Sequence, residues 1–437
     1  MELTISLIGI LAAMAVLILL MMRGVNLFIT VMAASLVVML TSGLNIHETL
    51  VSTYISGLVG YFQSYFFMFL WGSLLGIFME VSGGATAIAH WLIRIMKDKA
   101  YLSIPIATGL LAYGGVFAIA ATFPIIPIAR AIFKQNNIAR RLMPGALYFG
   151  ACTFAMVAPG AVQVQNIVPT QGFQVSLMAG TVGGFAGAGA MLIVGSLWLR
   201  AMIKKAAKNG EVFVDRDTDI EPDTSHLPHP LLACLPLIVT IVVINLGDGA
   251  GNNLFPVETA IFIGDVSALV FLFKYYNWKE ILNYLAKGVS NTSSTVFNIS
   301  TIVGFGSVIK ATAGFSFLVD LCVSIPGPYL IGIAIGTTII CGVCGSASGG
   351  LGIATPIFTE VYFNLPGVSH AAIARIMALA SSALDSSPHS GAVTSIINMC
   401  GETHKDAYLP IFNLSVVTPA IGTLVGIIVF SLFPMLP

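Results

Sequence analysis

The chain has 437 residues, 57% of them hydrophobic and only 9% charged, with a formal net charge of zero. Soluble domains carry roughly 25% charged residues, so this composition, with a mean hydropathy of +0.94, cannot wet the surface of a soluble protein of that length. It excludes a string of soluble domains, and the absence of a basic excess gives nucleic acid no footing. The six cysteines sit mostly in apolar or Gly-rich stretches and read as packing residues; Cys341-Gly-Val-Cys344 has redox-motif spacing without the βαβ context that motif needs.

A helix needs about 20 apolar residues to cross the hydrocarbon. The first such run, 3–22, has neither a basic leader nor a small-residue cleavage site and reads as a membrane helix, not a signal peptide. Further spans are predicted at 25–43, 61–80, 142–170, 174–200, 230–248, 255–274, 288–310, 371–400 and 408–434. Two apolar stretches, 101–134 and 326–363, are cut by glycine and proline and read as re-entrant hairpins. The fold class is therefore an all-α polytopic membrane protein with about ten transmembrane helices and two hairpins.

Lys and Arg favour the cytoplasmic side. With Arg23 placed there, all of the 19 cations except Lys310 and Arg375 fall on that side. A hairpin that crossed fully would reverse every later cation, so the bias supports re-entry and puts both termini outside the cell's plasma membrane. Residues 204–229 form a cytoplasmic polar linker whose acids read as a solvated face. It divides a first repeat, 1–203, from a second, 230–437. Each repeat reads as three spans, a hairpin, a span with a polar middle and a last span. Five crossings per half invert the second repeat relative to the first, a pattern typical of secondary transporters.

The halves echo each other locally. Arg140-Arg141 precedes APGAVQVQNIV at 158–168, and Arg375 precedes SPHSGAVTSIIN at 387–398. Pro159 and Pro388 each remove a helix hydrogen bond and clash with the turn before. With Gly160 and Gly391 beside them, they predict helices broken near the midplane. Broken backbone at that depth is tolerated only where it lines a cavity or packs in protein. Two matched breaks therefore point to one pocket for a solute.

The hairpin tips carry Gly114 and Gly115 in one and Gly345-Ser346-Ala347-Ser348-Gly349-Gly350 in the other. Such tips present free N–H groups and hydroxyls, as helix N-termini do for anions. The interrupted segments are read as free of cations, so a carboxylate would be held by dipoles, hydroxyls and amides. The candidate ligands are Gly114, Gly115, Thr153, Pro159, Gly160, Gln163, Gln165, Asn166, Ser346, Ser348, Gly349, Ser386, Ser387, Ser390 and Thr394. Small residues also serve helix packing, which is the plainer reading of each one alone.

Among acids within spans, Asp265, Asp385 and Glu360 stand out, since intramembrane charge is costly. Asp385 and His389 are four apart across the second break, and histidine titrates near neutral pH. Either suits a coupling proton, although Asp385 also suits a helix cap. Asp385, Ser386, Ser387 and His389 are also the residue types of a hydrolase triad. A triad draws its members from separate segments, and here all fall in one short stretch. No enzyme activity, cofactor or metal centre is expected, and inverted repeats with midplane breaks suit alternating access better than a channel.

The stretches LAYGGVFAIAATFPIIPIA (111–129), RLMPGALYFGACTFAMVAPGAVQVQNIVP (141–169), GSASGGLGIATP (345–356) and ALDSSPHSGAVTSIINMCGETHKDAY (383–408) resemble the gluconate permease (GntP) family of the ion transporter superfamily. The likeness is closest to its 3-hydroxybutyrate permease branch. The resemblance implies proton-driven symport of small hydroxy- or sugar-acid anions. It also implies a homodimer whose transport domain moves as an elevator against a fixed scaffold. The gluconate branch has histidine in its first break; Ala158-Pro159-Gly160 has none, which favours a smaller acid such as 3-hydroxybutyrate.

Overall fold

The computed structural model describes residues 2–216, 226–247, 254–317, 329–388 and 390–433. Among them the chain is helical, with no β-strand. Five helices are long and apolar enough to cross a membrane: Leu3–Met21, Ile46–Val81, Thr181–Lys208, Trp278–Lys310 and His404–Leu432.

The first helices, α1 (Glu2–Met22) and α2 (Leu27–Thr41), pack on each other. Asn26 caps α2 by accepting from the Phe28 N–H. Helix α3 (Ile46–Val81) has 36 residues, well beyond the expected span 61–80. Ser52, Thr53, Tyr54 and Ser56 dilute its early hydropathy, and Asn45 caps it by accepting from the Glu48 N–H. Helix α4 (Gly84–Met96) is not foreseen by apolar runs: it buries Ala85, Ile88, Ala89 and Leu92 and exposes Trp91 and Ile95. That one-sided pattern belongs to a helix too short to span.

The first hairpin comprises α5 (Ser103–Tyr113), a turn opening on Gly114-Gly115, a 3₁₀ segment (Ala120–Ile125) and α6 (Ile126–Gln135). Helix α7 (Met143–Phe149) then runs through a π turn and one α turn to Val157, breaks at Ala158, and resumes as α8 (Val164–Gly172). Helix α9 (Thr181–Lys208) ends this half. Residues 217–225 of the linker lie outside the described residues.

The second half carries α10 (Pro230–Ile244), α11 (Val257–Phe271) and α12 (Ile281–Lys310). Then come α13 (Tyr329–Cys344) and α14 (Ala347–Tyr362), joined at Gly345-Ser346; residues 326–328 of the expected hairpin are outside the described residues. Helix α15 (His370–Leu384) breaks and resumes as α16 (Gly391–Met399), and a helix α17 (His404–Leu432) closes the chain. Hairpin and interrupted helix thus occur twice in the same order.

Helices α3 and α12 lie together and antiparallel: Glu80 at the end of one pairs with Lys287 near the start of the other at 3.6 Å. The interrupted helices pack with α9, α13, α14 and α17.

The linker departs from the solvated face expected of it. Arg141 forks onto Glu211 at 2.6 and 2.8 Å, Lys134 meets Asp215 at 2.9 Å, and the Phe213 N–H donates to Asn137 at 3.1 Å. Residues 211–216 form a strap over the start of the first interrupted helix. The hydrogen bonds from Arg141 hold the Glu211 carboxyl below its ordinary range. A carboxyl lowered on folding contributes fully above its unfolded pKa of about 4.3 and loses that contribution as pH falls through the lowered value. The pair is part-exposed, so about 0–1 kcal/mol is at stake. Glu211→Gln is expected to cut hydrogen-exchange protection of the Phe213 amide about threefold at pH 7, with the difference vanishing in acid. Equal protection at pH 7 would show that the bridge does not hold the strap.

Candidate functional site

The two interrupted helices run antiparallel, and each begins where the other ends. Arg140, just before α7, donates to the carbonyl of Cys400, the C-cap of α16, at 3.2 Å from Nε and 2.9 Å from Nη2. Arg375, in α15, donates to Leu177 O at 2.8 Å and to Ala179 O at 3.1 and 2.7 Å, in the turn beyond α8. Carbonyls past a helix end lack intrahelical partners, and each arginine supplies them for the opposite helix.

Arg375 does more. Its Nη1 donates to Val157 O at 3.2 Å and to the Asn166 carboxamide oxygen. All five guanidinium donors are then used. The side chain is 0% exposed, and no carboxylate is among its partners. This corrects the sequence reading, which left Arg375 on the aqueous far side and the breaks without a cation. The residue lies in the second turn of α15, and its long side chain reaches the first break. The signal was a lone arginine inside the apolar run HAAIARIMALASSAL.

The first break, Ala158–Gln163, is held from several directions. The Tyr113 hydroxyl donates to Pro159 O at 2.7 Å, and the Val162 N–H donates to Tyr113 O at 3.3 Å. Gln163 Nε2 donates to Ala112 O at 2.5 Å and Val116 O at 2.8 Å, pinning the break to the first hairpin. Asn166 Nδ2 donates to Ala161 O at 3.0 Å and Ala158 O at 3.4 Å. Gly160 has φ +78°, and a Cβ there would fall 2.7 Å from Met178 Sδ, so glycine is required. Gln163 and Asn166 therefore fasten the break. Thr153 lies in the π turn with its hydroxyl on Phe149 O, and Gly114 and Gly115 pack against Leu237 and Thr240 of α10.

The first break meets the second hairpin at Gln165. Its Nε2 donates to Ser348 Oγ at 3.1 Å, while its Oε1 has no hydrogen-bond partner among the described residues, in a side chain 6% exposed. Ser346 caps α14 by accepting from the Gly349 N–H at 3.2 Å, and Gly349 lies against Ile302 of α12.

At the second break Asp385 stands at the C-terminal end of α15 and not at the head of α16, where a cap was expected of it and where Ser390 sits; it is 5% exposed and accepts from the Ser386 hydroxyl at 2.8 Å. Ser387 donates to Leu384 O at 2.6 Å and to Gly342 O of the second hairpin at 3.4 Å. Tyr148 of α7 faces Asp385, Ser386 and Ser390. Thr394 sits on an exposed face of α16 and bonds back to Ser390 O at 3.1 Å. His389 lies outside the described residues.

The two breaks are offset along the helix pair. Among the described residues no hydrogen bond joins 158–163 to 385–390. Because the helices overlap antiparallel, each break faces the helix leading into the other: Val157 meets Arg375, and Asp385 meets Tyr148. About ten helical residues, ~15 Å, separate Arg375 from Asp385 along α15.

A model of the GntP family permeases matches residues 5–429. The chain belongs to this family. It is 30% identical to the uncharacterized transporter YxjC of Bacillus subtilis, over 95% of this chain and 97% of that one. It is 25% identical to an uncharacterized permease of Haemophilus influenzae, over 84% and 80%. Among solved structures, the Alcanivorax borkumensis YdaH transporter, described as having an unusual topology, is similar with a TM-score of 0.53 at 13% identity, covering 88% and 89%. That likeness is one of fold.

This GntP permease is thus a membrane-embedded transporter and not an enzyme. Its site is only as stable as the Arg375 clasp. Arg375→Lys offers three donors where five are used, without the planar fork. It is expected to destabilise the protein by about 2–4 kcal/mol, since hydrogen bonds from a charged group are worth about 1.5–3 kcal/mol each. Thermal unfolding in detergent checks this, and an unchanged midpoint would remove Arg375 as the fastener.

Proposed function

We propose that this GntP permease is a secondary transporter that couples uptake of a small organic carboxylate to proton entry, with a 3-hydroxybutyrate-like hydroxy acid favoured over gluconate. The observation that carries the reading is Arg375, a buried positive charge beside the first break with no carboxylate among its partners. In low dielectric such a charge acts beyond hydrogen-bond range. An anion near Gln165 and Ser348 would be stabilised by it without displacing any of its five bonds. Asp385 is the proposed proton carrier, with His389 as its neighbour in sequence.

The halves 1–203 and 230–437 are read as inverted repeats, with the paired helices α3 and α12 as scaffold and the interrupted helices and hairpin tips as the moving part of an elevator. In this reading the protein is a homodimer in the plasma membrane, with both termini outside and residues 204–229 cytoplasmic. The orphan Gln165 Oε1 favours one second reading, sodium as the coupling ion, because that oxygen is a ready ligand for a hard cation.

Uptake into proteoliposomes of 3-hydroxybutyrate, gluconate and other short acids, each under an imposed pH or sodium gradient, tests both readings. Accumulation under the pH gradient alone is expected. Asp385→Asn should abolish accumulation while the protein still inserts and exchanges label. Proton-coupled accumulation by that variant at the wild-type rate would remove Asp385 from the mechanism, and accumulation under sodium alone would replace the proton.

A further inference from the structure

A crevice of about 630 Å³ opens between α3 and α12 on one wall and α8 and α14 on the other. Its volume is that of a small-molecule site, about 300–1,000 Å³. It lies at the end of the molecule opposite Arg140, because Gly172, the last residue of α8, lines it. Glu360 lines its mouth, and Lys310, one turn beyond lining residue Ser307, pairs with Glu360 at 2.8 Å. The pair bridges the two walls, and its side chains are 44% and 69% exposed.

Deeper in, Tyr61 and Thr355 face each other's wall. They are 5% and 3% exposed, and neither hydroxyl has a hydrogen-bond partner among the described residues. The Thr359 hydroxyl, in the same lining, is a third of this kind, and all three oxygens are closed off from the crevice by the side chains around them. The crevice runs toward the candidate site. Val168 and Gly352 line it, and Gln165 and Ser348, one turn before each, close its inner end with their hydrogen bond.

We propose that this crevice is an entry station for the carboxylate substrate, at which the anion takes the place of Glu360 on Lys310 and then moves inward toward Gln165 and Ser348. This rests on the carboxylate reading given above. An exposed ion pair is weak and screened, so one carboxylate exchanges for another at little cost. Lys310 attracts the anion, and Glu360 competes with it.

Two exposed-residue variants have opposite expected effects, which a folding defect cannot mimic. In proteoliposomes with labelled 3-hydroxybutyrate and gluconate, Lys310→Gln should raise KM about fivefold, leave the maximal rate within about twofold, and flatten the rise of KM with salt. Glu360→Gln should lower KM about twofold. Wild-type uptake with KM unchanged in Lys310→Gln and Glu360→Gln would overturn the entry station alone. Wild-type protein that takes up no acid would overturn it together with the carboxylate reading.

Discussion

The arrangement depends on a reciprocal clasp. Arg140 at the head of one interrupted helix satisfies the terminal carbonyl of the other, and Arg375 does the same in return. In an apolar surround an unpaired carbonyl costs on the order of several kcal/mol, and a helix broken midway has twice the usual number of ends. The planar fork of arginine reaches two or three such carbonyls at once. The antiparallel pairing follows from this, and with it the offset of the two breaks and the meeting of Gln165 with Ser348.

The two clasps differ in charge. Arg140 lies 3.3 Å from the Glu402 carboxylate, which also takes Arg216 at 2.9 Å. That end of the pair has a carboxylate shared by two arginines and is tied through Arg216 to the strap of residues 211–216. Arg375 bonds only to neutral oxygens. Its charge therefore sits beside the first break without a carboxylate among the partners of its guanidinium. Specificity for a sign of charge needs no direct salt bridge in low dielectric, because the unscreened field acts across several ångströms.

Proline and glycine made the breaks legible. Pro159-Gly160 and Pro388 with Gly391 mark interruptions that the backbone places between Val157 and Val164 and between Leu384 and Gly391. The motifs around them identified the family. Helix α3 was half hidden, since Ser52, Thr53 and Tyr54 lower hydropathy without ending a helix. Roles were harder to read than positions. An amide near a break is equally suited to holding a ligand or holding the chain, and only its partners decide. Gln163 and Asn166 spend their amides on carbonyls of the break and the first hairpin, whereas Gln165 keeps an oxygen free. The role of Arg375 was missed because counting cations treats each as a loop residue, and a cation satisfied by backbone carbonyls and one side-chain amide is the exception to that rule.

The breaks also differ in how firmly they are committed. At the first, Pro159 O, Gly160 N, Ala161 O and Val162 N all bond to groups outside the break, drawn from the first hairpin, the turn beyond α8 and Asn166. At the second, the Ser387 and Ser390 N–H groups bond within the segment or to the turn just before it, and Asp385 is held by its neighbour Ser386. Among the described residues, bonds from farther away also reach it: Tyr408 donates to Ser386 O, His404 meets Pro388 O, and Ser387 donates to Gly342 O. A segment bonded largely to itself exchanges partners more readily than one whose backbone is bonded to several surrounding elements. The first break is in that sense fixed by its surroundings and by the Arg375 clasp, and the second combines polar groups with fewer bonds to distant elements.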